Sequence, residues 1–348
     1  MGRVGGNGIR YGVLTMMQYR KLGRTDITVS EIGFGAWGIG GWTAGQTSYG
    51  ATDDAISRNA LARALDLGIT FYDTAPPYGD GHSEELIGSA FRGCRSRVVL
   101  ATKVGVERFG EAADLSPRAL RQSLEGSLRR LGCDYVDLLQ IHSLEIAALR
   151  RDPAILETLN ALVAEGKARA LAMSAKSPAD AVAAVTEFGF KVVQINLNMM
   201  DLRAQQNGFL ALAEERGVGI IARTPLCFGF LSGAIHPDTR FPDGDHRNGW
   251  SRAQVVRWIE GATALHDAVG QPQGQSRAQV ALRFCLSYPA VASVIPGILT
   301  AAEADENAAA SAAGPLPLPA RARVEEINRS MDFFAPRPAP AQMQGVPA

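Results

Sequence analysis

The order of its apolar runs constrains this chain more than any other feature. Eight short runs rich in β-forming residues alternate with segments of helical length and apolar spacing. Strand–helix alternation of this kind implies a parallel sheet, and eight strands are the number that a (β/α)8 barrel requires. We therefore predict an α/β fold with a single-domain TIM barrel, and an open sheet with two wings as second choice. The predicted strands are Glu31–Ala36, Thr70–Asp73, Val98–Lys103, Tyr135–Ile141, Ala168–Met173, Val192–Asn196, Val218–Arg223 and Val291–Ile295.

Helix start and stop signals agree with this alternation. Ser116-Pro117 and Ser177-Pro178 have the residues of a helix N-cap and first turn, and glycines 68, 132, 166 and 217 stand where helices should end. The predicted helices are Asp53–Leu67, Ser83–Phe91, Pro117–Leu131, Ala154–Glu165, Pro178–Phe188, Arg203–Arg216 and Arg277–Tyr288.

The two ends of the chain lack this pattern. Residues 1–16 are Gly-rich, and we expect a disordered extension before a natural start at Met17. Residues 335–348 are rich in Pro and Ala and read as a disordered tail. The predicted barrel therefore spans residues 17–334.

Composition excludes several classes of function. The 35 basic and 35 acidic residues cancel, so no basic stripe predicts nucleic-acid binding. The apolar runs are too short to cross a bilayer and the N-terminus has no signal core, so we expect a cytoplasmic protein without a membrane partner. Four widely spaced cysteines, with no close histidine, indicate neither disulfides nor a metal site. The pattern points to no particular oligomeric state.

The glycines from Gly33 to Gly38 match the G-x-G-x-x-G fingerprint of dinucleotide-binding sheets, and Asp53 follows at the expected distance. That fingerprint works only where a helix begins at its glycines. Here the next residues, 39–45, contain further glycines, and Asp53 looks like a helix N-cap. A Rossmann-type dehydrogenase is therefore the less favoured alternative.

Four residues with side chains suited to catalysis lie at or just past the ends of predicted strands: Asp73, Tyr78, Lys103 and His142. Side chains at the carboxyl ends of barrel strands converge at one mouth, where barrel enzymes keep their chemistry. Each also has a plain structural interpretation, namely a turn cap, a loop aromatic, a solvated strand end and a core histidine. Together they favour an active site.

Several motifs in order resemble the aldo-keto reductase superfamily from Tyr19 to Ser330. The resemblance implies a barrel that binds NAD(P)H at its C-terminal mouth and interconverts an aldehyde or ketone with the alcohol, using Asp73, Tyr78, Lys103 and His142 as catalytic residues. The motifs are Leu22-Gly23 with Val29-Ser30, Asp73-Thr74-Ala75 with Tyr78-Gly79, Ser83-Glu84-Glu85, Thr102-Lys103, His142, Gly166-Lys167 and Ile295-Pro296-Gly297.

Hydride transfer to a carbonyl carbon leaves negative charge on the oxygen, so an acid must stand beside it. Tyr78 is the candidate, because the Lys103 ammonium would stabilise its phenolate. Asp73 would keep Lys103 charged and oriented. His142 can donate to the same oxygen and orient the substrate.

The resemblance also assigns coenzyme contacts. Ser174, Gln194 and Asn196 match positions near the carboxamide, although Ala175 replaces the usual Asn. Arg223 stands where many relatives stack an aromatic ring on nicotinamide, and the loop 226–233 would cover the pyrophosphate as an anion nest. The predicted contacts are Gly35, Trp37, Ser174, Gln194, Arg223, Thr224, Pro225, Leu226, Phe228, Gly229, Leu231, Ser232, Gly297, Glu303, Glu306 and Asn307.

The position of the coenzyme's 2′-phosphate lacks basic residues. Where relatives often carry Lys, Arg or Gln, this chain has Ala234, Leu299 and Glu303. We therefore expect substantial use of NADH, against the NADPH habit of the family. Arg240 or Arg247 would be the replacement ligands if NADPH were preferred.

Trp37, Trp42 and residues 241–250 are expected to line the substrate pocket. Aromatic walls accept many small-molecule carbonyl compounds, so the substrate stays open. The competing function is a non-catalytic barrel that senses the coenzyme or binds a partner.

Overall fold

The computed structural model describes residues 16–43, 48–143, 145–270, 272 and 274–334. The predicted extension and tail fall, apart from Met16, outside the described residues. A hairpin of β1 (Tyr19–Lys21) and β2 (Thr28–Ser30) precedes the main sheet. In the described part of the chain, that sheet has eight parallel strands: β3 (Phe34–Gly35), β4 (Phe71–Asp73), β5 (Val99–Val104), β6 (Val136–His142), β7 (Ala168–Ser174), β8 (Val192–Asn196), β9 (Gly219–Arg223) and β10 (Val291–Ile295).

The eight strands pair in chain order, and the last returns to the first. Parallel bridges join Ile32 to Val294 and Gly35 to Gly297, so the sheet closes into a barrel. The predicted (β/α)8 fold is confirmed.

Helices surround this barrel and pack their apolar faces against it. The helices are α1 (Asp54–Asp66), α2 (His82–Ala90), α3 (Pro117–Leu131), α4 (Ile146–Arg151), α5 (Ala154–Ala164), α6 (Pro178–Thr186), α7 (Arg203–Gln206), α8 (Phe209–Arg216), α9 (Arg252–Val269), α10 (Arg277–Leu286), α11 (Ala301–Ala312) and α12 (Leu318–Ser330). Asp53 caps α1 by accepting from the amides of Ala55 and Ile56, as predicted.

The structure differs from the predicted helices in two ways. Arg203–Arg216 is not continuous, because Gly208 adopts φ 84° and separates α7 from α8. Helices α4, α9, α11 and α12 were not predicted. Helix α11 is built largely from alanine, so it lacks the spacing of large apolar residues on which the prediction depended.

The glycines at 33–38 do not form a dinucleotide-binding turn. Phe34 and Gly35 form β3, and a three-residue 3-10 turn, Gly38–Gly40, follows in place of a helix. The Rossmann-type alternative is therefore wrong.

The barrel interior has two layers of opposite character. Because side chains on a strand alternate in direction, a residue two positions further along points to the same side. The lower layer is apolar and is closed from below by Leu22, Ile27 and Val29 of the hairpin; it contains Phe71, Ala101, Leu138, Ala172, Val192, Ile221 and Ala292. Two positions further along six of these strands come Asp73, Lys103, Gln140, Ser174, Gln194 and Arg223.

Across the described residues, no helix is both long and apolar enough to span a membrane.

The contact between Gly23 and Gly219 fixes the hairpin under the barrel. Gly23 has φ 59°, and a Cβ added there would lie 2.4 Å from the Gly219 nitrogen and 2.6 Å from the Lys191 carbonyl oxygen. Gly132 has nearly the same backbone, φ 63°, but no atom of the described residues lies within 4 Å of a Cβ added there.

We predict that Gly132→Ala lowers the free energy of unfolding by about 1 kcal/mol, the cost of left-handed backbone at alanine. Gly23→Ala should cost clearly more, because the contact must also open. Urea denaturation of both variants measures the difference. Equal losses would mean that the hairpin contact contributes nothing beyond backbone strain.

Candidate active site

The Asp73 carboxylate lies at the centre of the polar layer. Its Oδ1 accepts from Lys103 Nζ at 2.6 Å, and its Oδ2 accepts from Gln140 Nε2 and Gln194 Nε2, both at 2.7 Å. Asp73 is 2% exposed. Three donors therefore stabilise the charged form of a carboxylate that water barely reaches.

The Lys103 ammonium is fully buried and uses each of its three protons. It donates to Asp73, to the Thr74 carbonyl at 2.8 Å and to the Tyr78 hydroxyl at 3.2 Å. Burial alone would lower the pKa of Lys103, but the neighbouring Asp73 and Tyr78 oxygens outweigh it and hold the pKa above its ordinary value. The ammonium thus stays charged beside the phenol.

Two glycines in contact place Tyr78 over this ammonium. Gly79 has φ 65°, and a Cβ added there would lie 2.0 Å from the Gly40 carbonyl oxygen. A Cβ on Gly40 would in turn meet the Tyr78 carbonyl at 2.7 to 2.8 Å. Only glycines allow the two loops to approach so closely.

The Tyr78 hydroxyl can receive a hydrogen bond from Lys103 but cannot give one back, because an ammonium has no acceptor. Its own proton is therefore available to another acceptor. Tyr78 lines the cavity described below, so a substrate oxygen there could take that proton. This arrangement suits general acid catalysis.

His142 faces the same space from the end of β6. Its ring centroid lies 6.0 Å from that of Tyr78, and Nδ1 is buried without a hydrogen-bond partner among the described residues. Burial, with the Lys103 and Arg223 charges, lowers the pKa of His142 well below its ordinary value. The imidazole is thus neutral near pH 7 and can donate through one nitrogen only.

Arg223 is held at the mouth by neighbouring strand ends. Its Nε donates to Asn196 Oδ1 at 2.7 Å and its Nη1 to Ser174 Oγ at 2.9 Å. Ser174 in turn donates to Gln194 Oε1 at 3.3 Å. The residues predicted to lie near the nicotinamide carboxamide therefore form one hydrogen-bonded network that runs from Arg223 to Asp73.

A cavity of about 880 Å³ extends from these residues to the first turns of α11. Its volume is typical of small-molecule and cofactor sites. Lys103, Ser174 and Leu231 lie outside the lining, buried beneath it. The lining includes these predicted residues: Asp73, Tyr78, His142, Gly35, Trp37, Gln194, Arg223, Thr224, Pro225, Leu226, Phe228, Gly229, Ser232, Gly297, Glu303, Glu306 and Asn307.

Comparison with known proteins agrees with this geometry. The model of the Aldo/keto reductase family matches residues 31–329. The chain belongs to the aldo/keto reductase family. It is therefore an oxidoreductase of a family that carries out NAD(P)H-dependent carbonyl chemistry.

The similarity to individual relatives extends over most of the chain. The chain is 33% identical over 312 residues to an NADH-specific methylglyoxal reductase of Escherichia coli, covering 83% of this chain and 92% of the relative. It is 29% identical over 333 residues to a probable voltage-gated potassium channel subunit beta of Arabidopsis thaliana, covering 90% and 97%. The holo form of an aldo-keto reductase from Bacillus halodurans superposes with a TM-score of 0.71 at 28% identity, covering 90% and 96%.

The cavity of this reductase and the loop beside it have two features of a ligand-binding site. Thr224, Cys227 and Phe228 have positive φ of 53°, 46° and 56°, which is uncommon outside glycine and concentrates at functional loops. Trp37 Nε1 is buried with no hydrogen-bond partner among the described residues, so the wall holds an unused donor. The shape and chemistry fit NAD(P)H.

At the α11 end of the reductase cavity, charge is either negative or already neutralised. Glu303 Oε2 accepts from the amides of Leu299 and Thr300 as part of a capping box. Arg247 lines the cavity, but Asp245 pairs with it at 2.6 Å. Arg240 is exposed and is not part of the lining.

Some residues of the reductase site were missed, and one predicted residue lies elsewhere. Tyr49 and Phe109 line the cavity, and Gln140 binds Asp73. Gln140 could have been found, because it lies two positions before His142 and so faces the same interior. Trp42 was predicted in the substrate pocket, but it is 61% exposed and is not among the described lining residues.

We predict that the neutral state of His142 makes the reductase less stable as pH falls below about 6.5. The unfolded histidine takes up a proton there, whereas the folded one, with its lowered pKa, does not. The slope of unfolding free energy against pH, measured between pH 7.5 and 5.5, should decrease in His142→Gln by up to about 1.4 kcal/mol per pH unit.

The matched control is His236→Gln, at an exposed position. It measures the effect of the same substitution at a histidine outside the cavity lining. An unchanged slope in His142→Gln would show that the buried imidazole takes up its proton as readily as the unfolded one.

Proposed function

We propose that this aldo/keto reductase reversibly converts an aldehyde or ketone to the alcohol, with Tyr78 as the general acid and base. The observation that supports this most strongly is the hydrogen bond of 3.2 Å from Lys103 Nζ to the Tyr78 hydroxyl. A buried, permanently charged donor favours the phenolate that remains after Tyr78 has given up its proton.

Each residue has a defined part in the reduction. NAD(P)H bound in the cavity would supply the hydride for the carbonyl carbon, and the C=O electron pair would then be left on the oxygen. Tyr78 gives its proton to that oxygen and becomes a phenolate beside Lys103. Neutral His142 donates a hydrogen bond to the same oxygen and sets the approach of the carbonyl. Alcohol oxidation follows the same steps in reverse.

We predict that Tyr78→Phe lowers kcat for reduction of 4-nitrobenzaldehyde by about 10³-fold or more, because the proton donor is lost. Coenzyme affinity should stay within about threefold of wild type. Absorbance at 340 nm measures turnover, and calorimetric titration measures coenzyme binding.

Tyr72→Phe is the matched control. Its hydroxyl is buried outside the cavity and donates to the Ile69 carbonyl at 3.0 Å. Wild-type turnover in Tyr78→Phe would overturn the assignment of the acid, whereas an equal loss in both variants would point to a general disturbance of the fold.

We further propose that NADH is used at least as well as NADPH. Glu303 lines the cavity at the expected phosphate position, where a carboxylate repels phosphate and can accept from a ribose hydroxyl. Asp245 neutralises Arg247, so no free basic side chain among the described lining residues is offered there. The relative named as an NADH-specific methylglyoxal reductase agrees with this preference.

We predict that wild-type kcat/KM with NADH equals or exceeds that with NADPH. Ala234→Lys should raise kcat/KM with NADPH about tenfold and change that with NADH little, because it adds one charged hydrogen bond to the 2′-phosphate. Ala313→Lys, at an exposed site outside the lining, controls for added charge. Strong wild-type preference for NADPH would contradict the proposal and assign the phosphate to Arg247.

A coenzyme-sensing or partner-binding subunit is the second candidate. The likeness to a protein named as a probable potassium channel subunit beta favours it. The two candidates differ in turnover: a sensor binds NADH or NADPH but consumes neither when mixed with several aldehydes and ketones.

A further inference from the structure

Arg223 is a cation whose hydrogen-bond partners are all neutral. Its guanidinium donates to Asn196, to the hydroxyls of Ser143 at 3.3 Å and Ser174 at 2.9 Å, and to the Ala175 carbonyl at 3.0 Å. Among the described residues, no carboxylate accepts from it. Its charge is therefore oriented firmly without a direct ion pair. The carboxylates that act on it from further away, Asp73 and Asp201, are themselves paired with Lys103 and Arg203.

The other cations around the cavity are treated differently. Asp73 pairs with Lys103 at 2.6 Å, and Asp245 pairs with Arg247 at 2.6 Å. Burial lowers the pKa of Arg223, as expected for a desolvated cation, but a guanidinium stays protonated at working pH. The catalytic end of the cavity thus carries a net positive charge at the Arg223 guanidinium.

The Arg223 guanidinium lies beside the residues that neighbour His142. Arg223 binds Ser143, the residue after His142, and Ser174, which pairs with His142 across the strands. Hydride transfer needs the donor and the carbonyl carbon about 3 to 3.5 Å apart. Arg223 and Tyr78 line the same cavity and act on each other electrostatically. A nicotinamide ring that served a carbonyl held at Tyr78 and His142 would therefore lie close to the Arg223 guanidinium.

We propose that Arg223 sets the redox preference of the coenzyme site by favouring the neutral reduced ring over the positively charged oxidised ring. The inference rests on the proposed function. NADH and NAD⁺ carry the same phosphate and adenosine groups and differ in the charge of the nicotinamide ring, so a charge beside that ring distinguishes them. Repulsion between two cations a few ångströms apart at a partly buried site changes a binding constant about tenfold or more.

The consequence concerns the direction of catalysis. A site that holds NADH tightly and NAD⁺ weakly loads the reduced coenzyme and releases the oxidised one after the carbonyl has been reduced. Such a site favours carbonyl reduction under conditions where both forms of the coenzyme are present.

The test measures dissociation constants of NADH and NAD⁺ by calorimetric titration in wild type, Arg223→Gln and Arg223→Lys. We expect the ratio of the NAD⁺ constant to the NADH constant to fall about tenfold or more in Arg223→Gln, which keeps polarity but removes charge. Arg223→Lys keeps the charge and should stay within about threefold of the wild-type ratio. Circular dichroism establishes that both variants are folded.

The matched control is the double variant Asp245→Asn with Arg247→Gln. It removes a cavity arginine together with the carboxylate that neutralises it, so the net charge stays the same and both dissociation constants should change by the same factor. A wild-type ratio in Arg223→Gln overturns the inference, as does an equal fall in Arg223→Lys, because shape would then be the cause. If wild type binds neither coenzyme, the proposed function itself fails.

Discussion

The buried ion pair between Asp73 and Lys103 is the interaction on which the site depends. Taking two charges out of water costs several kcal/mol for each, and their attraction repays this only if the remaining hydrogen-bonding capacity is also used. Here it is used: Gln140 and Gln194 bind the second carboxylate oxygen, and the Thr74 carbonyl accepts from the ammonium. The third ammonium proton is donated to the Tyr78 hydroxyl, so satisfying the buried ammonium also fixes the position of the phenol.

The barrel makes such a polar cluster possible because its interior changes from apolar to polar side chains within two residues along six of the strands. Phe71 and Ala101 belong to the apolar layer, and Asp73 and Lys103 follow two positions later. The hairpin closes the opposite end, so the polar layer faces the mouth. Charged groups at that level are dry enough to interact strongly and are still open to a substrate.

Sequence reasoning located the strands because alternation fixes where each strand ends, and it placed Asp73, Lys103 and His142 at those ends. It predicted the pair of Asp73 with Lys103 but not the other hydrogen-bond partners of these groups. Gln194 was assigned to the coenzyme, yet its amide also binds Asp73, and nothing in the order of residues distinguishes the two partners. Trp42 illustrates the same limit: an aromatic residue near the mouth has no sequence mark that separates a pocket wall from an exposed ring.

Three cations around one cavity show how a single fold assigns different roles to the same charge. Lys103 is paired and sealed from water, so its field acts on its immediate neighbour Tyr78. Asp245 neutralises Arg247, whose guanidinium packs 4.7 Å from the Tyr49 ring centroid and supports the wall. Among the described residues, Arg223 donates to neutral groups only, so no carboxylate pairs with its charge at hydrogen-bond distance. Pairing, rather than charge alone, therefore decides which cation acts on a bound molecule.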